Sequence, residues 1–327
     1  MSDAARYVTA IALLLAAAVL PPLLLSDYNL FRLTLVASYA VAVLGLNLVM
    51  GFGGQISLGH GAFYAIGAYT TGILVGTYDI PYWATFPAAA LVSGLLGLAI
   101  GWPALRLTGP YLALVTLALA TAVPQILKHP ALERWTGGVQ GVLLSKPDAP
   151  AGLPLSPDQW LYLVALILAS LGFLIVTRVM AGRIGRAIVA VRDNPVAAEA
   201  MGVDIAGLKT RTFALSAMLT GVAGSVGALA VEFVSPDSFT VFLSITLFVG
   251  AVVGGTTSIF GAIAGGAFIV AVPALANSVS KSAPGIAYGA MLILCLYAMP
   301  SGVAGLLRRL RPQPLRQAPT GRSNHAS

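Results

Sequence analysis

Apolar residues in this chain come in long blocks, not at the two-residue period of an exposed strand. Blocks of near-spanning length, roughly 17–25 residues, fall at about 7–25, 33–50, 56–76, 84–101, 111–127, 161–178, 212–231, 239–255, 259–275 and 285–300. The first follows Arg6 and runs into Pro21-Pro22 with no small-residue cleavage site, so it reads as a membrane helix and not as a signal peptide. The blocks at 239–255 and 259–275 are separated only by Thr256-Thr257-Ser258, which makes one of them a candidate for a re-entrant segment. The same applies to 56–76, whose start is broken by glycine. The pattern predicts an all-α polytopic membrane protein with about ten transmembrane spans, some broken or re-entrant.

Charge gives the orientation. With ten spans, one side holds Arg6, Arg106, Arg178, Arg183, Arg186, Arg192, Lys209, Arg211 and the tail arginines 308, 309, 311, 316 and 322, which is 13 of the 18 basic residues. The other side holds Arg32, Lys128, Arg134, Lys146 and Lys281. The positive-inside bias places both termini in the cytoplasm. Residues 1–306 form one transmembrane domain on this reading, and 307–327 form a basic, disordered cytoplasmic tail whose arginines anchor near anionic lipid.

Composition agrees. The chain is 58% hydrophobic and 9% charged, against roughly 25% charged in soluble domains. Glycine, at 36 of 327 residues, is above its usual share of about 7%, as suits helices that approach closely in lipid. Gly97/Gly101, Gly250/Gly254 and Gly261/Gly265 give small-xxx-small faces that read as helix packing. The net charge of +7 is accounted for by topology, so no nucleic-acid partner is expected.

One stretch does not fit a lipid-facing helix. Residues Gly51 to Tyr69 carry six glycines together with Gln55, Ser57, His60, Tyr64 and Tyr69. Polar groups and broken backbone at membrane depth are tolerated where they face protein or a water-filled cavity. The stretch reads as the wall of a pathway. Gln55 and Ser57 have two readings, bonding a zwitterionic solute or satisfying a broken helix. His60 likewise either lines the pathway or is a neutral histidine bonded to backbone freed by Gly59 and Gly61. Tyr111 and Thr116, five residues apart after the Gly109-Pro110 break, share no helix face closely, so at most one of them faces the pathway.

Two loops are long. The outer one, about 128–160, is rich in proline and glycine. The inner one, about 179–211, predicts a short helix: Asp193 or Asn194 before Pro195 is a helix start, and Gly202 ends it. Arg186, Arg192, Asp193, Asn194, Glu199 and Gly202 are its candidate contact residues, either for a partner or as a solvated loop helix.

Much chemistry is absent from the sequence. It contains no Gly-x-x-x-x-Gly-Lys-Ser/Thr loop, so ATP cannot bind here in the P-loop manner. Cys295 and His60, His129 and His325 have no metal-ligand spacing. Asp27, Asp79, Glu133, Asp148, Asp158, Glu232 and Asp237 fall at loops or span edges, which disfavours ion coupling. No catalytic cluster is expected, and no cofactor in this chain.

At these residues the chain resembles the LivM-type permease subunits of ABC importers for branched-chain amino acids. The likeness spans about residues 30–305. Gly51 to His60 is similar to the family's Gly-x-x-Gly-Gln-x-Ser-Leu-Gly-His block, and Gly109 to Ala118 resembles its Gly-x-Tyr-x-Ala-x-x-Thr-Leu-Ala block. Thr136-Gly137-Gly138 resembles an outer turn, and residues 182–211 resemble the cytoplasmic coupling segment. Val139-Gln140 stands where a polar pair is expected, and Glu199-Ala200 with Gly202 matches the coupling motif only loosely. The resemblance implies an inner-membrane permease of an ATP-driven importer. It also implies a second homologous permease subunit, two cytoplasmic ATPase subunits that bind the ATP, and an extracytoplasmic solute-binding protein docking near 128–160. Relatives of this type carry urea, short amides or sugars. A stand-alone channel or ion-coupled carrier is the reading furthest from these motifs.

Overall fold

The computed structural model describes residues 3–104, 109–150 and 152–279, with residues 289, 290, 293, 302, 303 and 305 beyond them. Apart from those isolated positions, the block at 285–300 and the basic tail lie outside the described residues, as do Arg106, Lys281 and Cys295. The other nine apolar blocks each coincide with a helix. These are α1 (Asp3–Leu24), α2 (Asp27–Asn47), α3 (His60–Gly76), α4 (Tyr82–Ala104), α5 (Pro110–Leu127), α7 (Pro157–Ala181), α10 (Ile205–Val231), α11 (Val241–Gly254) and α12 (Gly261–Val279). Between them lie the short α6 (Glu133–Thr136), α8 (Arg183–Asp193) and α9 (Pro195–Ala200), and the strands β1 (Val142–Leu143) and β2 (Phe233–Val234).

Among the described residues, five stretches are long and apolar enough to cross a bilayer: Asp27–Phe52, Tyr82–Pro103, Pro110–Leu127, Pro157–Ala181 and Ile205–Val231. Leu14–Leu24, Val241–Gly254 and Gly261–Ala276 are apolar but shorter. The protein is an all-α, multi-pass membrane protein.

The bundle is organised around α10. This helix is buried nearly all round, as an element without a polar face should be. It lies against α2, α3 and α4, and the small residues along it set how closely they approach. A Cβ on Gly67 of α3 would fall on the Gly221 carbonyl of α10, and one on Gly224 would fall on the Tyr64 carbonyl. Gly97 of α4 meets Ala217, with 2.7 Å between an added Cβ and the alanine methyl. The predicted glycine faces of α11 and α12 also pair, Gly254 against Gly261 and Gly250 against Gly265. In lipid there is no hydrophobic force to draw helices together, so such backbone-to-backbone contact supplies dispersion and weak polar attraction instead.

Each end of the bundle is tied together by loops. At one end β1 pairs antiparallel with β2, Val142 opposite Val234 and Leu143 opposite Phe233. Beside them Lys128 reaches Asp237 at 2.5 Å, and Lys146 reaches Asp158 at 3.1 Å and Glu232 at 3.7 Å. The Thr136-Gly137-Gly138 turn belongs to this clamp. Thr136 donates to the Leu127 carbonyl at 2.8 Å, and Gly137 and Gly141 both take positive φ, 69° and 77°. At the opposite end Arg192 of α8 packs beneath residues 51–54, and Gly51 abuts Thr256, so the segments assigned to one side by charge do meet in space.

Replacing Gly67 by Leu is expected to unseat α3 from α10 and lower the stability of the detergent-solubilised protein by about 3 kcal/mol or more. Leu95→Ala on the exposed side of α4 is expected to stay within about 0.5 kcal/mol. Thermal melting of the two variants beside the parent checks both.

Candidate functional site

Helix α2 does not stop at a cap. It widens into a π turn over Leu48–Phe52, in which the Gly53 N–H reaches the Leu48 carbonyl at 3.1 Å. The chain then runs unwound from Gly53 to Gly59 before α3 starts at His60. Gly54, at φ 66°, makes the turn. The predicted span at 56–76 is therefore a helix of 17 residues preceded by an unwound entry. The glycines that broke the pattern are the cause.

The N–H groups of Gly53, Gly54 and Gln55 still reach the Leu48, Met50 and Val49 carbonyls, and beyond them the backbone takes partners from side chains. The Leu58 N–H donates to Thr116 Oγ1 of α5 at 2.9 Å, and the Gly61 N–H donates to Ser244 Oγ of α11 at 3.0 Å. Ser57, His60 and Thr116 are all fully buried here. Gly59 is required by this approach, because a Cβ there would lie 2.8 Å from the Thr116 carbonyl.

His60 is held at both ring nitrogens. Ser216 Oγ of α10 donates its hydrogen to the Gly45 carbonyl at 2.6 Å, so it accepts from His60 Nε2–H, also at 2.6 Å. Nδ1 is then the acceptor and takes the Ser57 hydroxyl at 3.0 Å. A neutral imidazole protonated at Nε2 satisfies every member of this chain, which links α2, α10 and the unwound stretch. The sequence left this histidine either lining the pathway or bonded, neutral, to backbone freed by Gly59 and Gly61. Its partners are two serines, while the neighbouring Leu58 and Gly61 N–H groups turn to Thr116 and Ser244.

The remaining predicted residues fall apart into groups. Gln55 is buried at the end of the bundle away from the strand pair, beside α8 and α10, where the nearest void is about 10 Å³ and takes no solute. Among the described residues its Oε1 has no hydrogen-bond partner. Tyr64 sits one turn beyond His60. Ser38 Oγ gives its hydrogen to the Ala223 carbonyl at 2.7 Å, so Tyr64 is the donor in the 2.9 Å bond between the two hydroxyls. Tyr111 is 68% exposed at the start of α5 and joins none of this, so Thr116 alone of that pair meets the cluster.

At the same end of the bundle the predicted helix start is met. Asn194 Oδ1 accepts from the Ala197 N–H at 3.0 Å, Pro195 opens α9, and Gly202 closes it at φ 83°. Arg186 and Glu199 are exposed. Arg192 is not simply exposed. Its Nη1 donates to the Gly51 carbonyl at 3.1 Å, while Asp193 holds its other face at 2.8–2.9 Å. An added Cβ on Gly54 would lie 2.7 Å from the Arg192 stem. Helix α8, and α9 packed on it, are thus pinned to the start of the unwound stretch.

Ser216, Ser244, Ser38 and Asn47 were missed by sequence reasoning. Asn47 donates to the Ser258 carbonyl at 3.2 Å, tying α2 to the turn before α12. Their only signal was a small polar residue within an otherwise apolar block.

Ser216→Ala is expected to leave the Nε2–H of His60 buried without a partner, costing about 1–3 kcal/mol in thermal unfolding. Imidazole 15N shifts of the parent are expected to show the Nε2–H tautomer.

Comparison with known proteins completes the site. The family described as "Branched-chain amino acid transport system / permease component" matches residues 29–299. The chain is 32% identical over 323 residues to the high-affinity branched-chain amino acid transport system permease protein LivM of Salmonella typhimurium, covering 92% of this chain and 75% of that protein. It is 33% identical to LivM of Escherichia coli over the same shares, and 26% identical to BraD of Pseudomonas aeruginosa, covering 84% of this chain and 93% of that protein. No solved structure matches the chain. A profile match over most of the sequence and relatives above 30% identity agree with the unwound, glycine-broken entry to α3, and the chain belongs to the branched-chain amino acid transport permease family.

Proposed function

We propose that this chain is the transmembrane permease subunit of an ATP-driven importer, and that its cargo is branched-chain amino acids. The observation that carries the mechanism is Arg192. Its guanidinium bonds the Gly51 carbonyl, where the π turn passes into the unwound stretch, while α8 and α9 offer Arg186, Val196, Glu199 and Met201 to the surface. Movement of the inner helix pair is thereby passed to the backbone that leads to Ser57, His60 and Thr116.

The partners follow from this division of labour. Two cytoplasmic ATPase subunits would grip α8 and α9 and supply the ATP chemistry that this sequence lacks. A homologous permease would complete the pathway. LivM and LivH, both named permease proteins of high-affinity branched-chain amino acid transport, are each similar to this chain, as two related halves of one channel would be. A solute-binding protein would dock on the clamp built from 128–146 and 232–237. About ten spans with both termini cytoplasmic, a single permease unit over 1–306 and an inner-membrane location complete the reading.

The roles of the buried cluster follow from its bonding. Ser57, His60 and Thr116 have their hydrogen-bonding groups turned to the protein, so they hold the unwound stretch in shape. They do not present a polar site to solute.

Proteoliposomes containing the assembled importer are expected to take up leucine only with ATP and binding protein present, and this chain alone is expected to take up none. Leucine uptake unaffected by omitting ATP would refute the reading. Uptake of urea or a short amide in place of leucine would keep the machine and change the cargo. Joint replacement of Arg192 and Glu199 by alanine is expected to leave membrane insertion intact and ATP hydrolysis running while uptake falls at least tenfold. Normal uptake in that variant would remove the coupling role.

A further inference from the structure

A groove of about 270 Å³ runs along the side of the bundle between α4 and α7, away from the unwound stretch. Its floor is α10, through Leu215, Met218 and Val222, and its sides are Ala90 of α4 with Leu168 and Ile175 of α7. No charged side chain lines it. From Leu168 to Ile175, and from Leu215 to Val222, it follows each helix for seven residues, about 10 Å. The rims are aliphatic: Leu91 and Leu95 on α4, and Ile167 and Leu174 on α7, are all more than half exposed. The groove therefore opens sideways into hydrocarbon.

Its two ends differ. Toward the strand pair the gap between α4 and α7 is plugged, because Phe86, Leu161, Ala165 and Val226 pack together across it. Beyond that plug Trp160 Nε1 donates to the Tyr82 hydroxyl at 2.9 Å and joins the two helices. Toward α8 the same helix faces run into positive charge. Arg211 stands one turn before Leu215 on α10, and Arg178 stands three residues after Ile175 on α7. Both are exposed, and among the described residues neither guanidinium has an ion pair or hydrogen bond. A helix is 10–12 Å across with its side chains and would displace several times the groove's volume over the same length. A single hydrocarbon chain is slender enough, and the bilayer supplies it.

We propose that this groove holds one acyl chain of an anionic phospholipid from the leaflet on the α8 side, with its phosphate bonded by Arg178 and Arg211. Guanidinium groups suit a phosphate because their planar forks donate in pairs, and basic pockets between membrane helices select anionic headgroups. A lipid seated there would brace α7 against α10. Helix α7 leads through Gly182 straight into α8, so the brace acts on the segment that carries Arg192. The site requires only that the chain spans a membrane and is independent of the cargo.

Phosphatidylglycerol carrying a diazirine in its acyl chain, photolysed in nanodiscs that hold the full-length chain with its co-purifying subunits, tests it. Label is expected on the peptides carrying Leu168 to Ile175 and Leu215 to Val222, in excess over Leu91 to Leu98. Unlabelled phosphatidylglycerol is expected to compete for the groove label, and phosphatidylcholine is not. Joint replacement of Arg178 and Arg211 by glutamine is expected to lower the groove label about tenfold while label at Leu91 to Leu98 persists. Ala90→Phe is expected to fill the groove and remove its label alone. Label spread evenly over the exposed faces, equal competition by phosphatidylcholine, or unchanged groove label in the glutamine variant would each overturn the site. Cross-links from the groove to another subunit, with no lipid label there, would overturn it too. If the glutamine variant fails to assemble, the competition measured on the parent decides.

Discussion

Everything here depends on one requirement, that no backbone polar group be left unpaired inside a bilayer. The helices meet it internally. The stretch from Gly53 to Gly59 cannot, because it has no helical ladder of its own. The amides of Gly53, Gly54 and Gln55 lean back on carbonyls of the π turn, while that of Leu58 turns to Thr116 on α5 and that of Gly61, at the first turn of α3, to Ser244 on α11. An irregular segment is affordable at membrane depth only when fixed neighbours supply such partners. The positions of α5 and α11 are therefore set by the segment they satisfy.

Close approach serves the same end. The contacts that leave no room for a Cβ at Gly67 or Gly224 hold α3 on α10, which brings Ser216 within reach of His60. The imidazole then links three elements without any charged partner. A carboxylate in its place would need a compensating cation in a region that offers none nearby. The cluster is polar enough to define one geometry and neutral enough to lie inside a membrane.

Much of this was legible in the sequence, for definable reasons. The apolar blocks located nine helices because spanning length and composition are properties of the chain alone. Asn194, Pro195 and Gly202 located α9 because caps and breakers act within a few residues. The Gly-x-x-Gly-Gln-x-Ser-Leu-Gly-His block marked the unwound entry because glycine and polar residues are unusual at that depth. What the sequence did not carry was pairing across distance. Ser216 lies 156 residues from His60, and Arg192 lies 141 from Gly51, so neither bond has a local signature. Tyr111 looked equivalent to Thr116 in the motif, yet the rotation of α5 turns one outward and the other into the cluster.

The π turn at Leu48–Phe52 holds more chain than an α turn of the same rise. It is a small reserve of length placed where Arg192 grips Gly51. If that turn relaxed to α geometry, one residue would pass into the 53–59 stretch without either long helix sliding through its glycine contacts. A rigid, close-packed bundle can in this way carry a moving part. The travel available to it is set by the surplus in a single turn, on the scale of one residue.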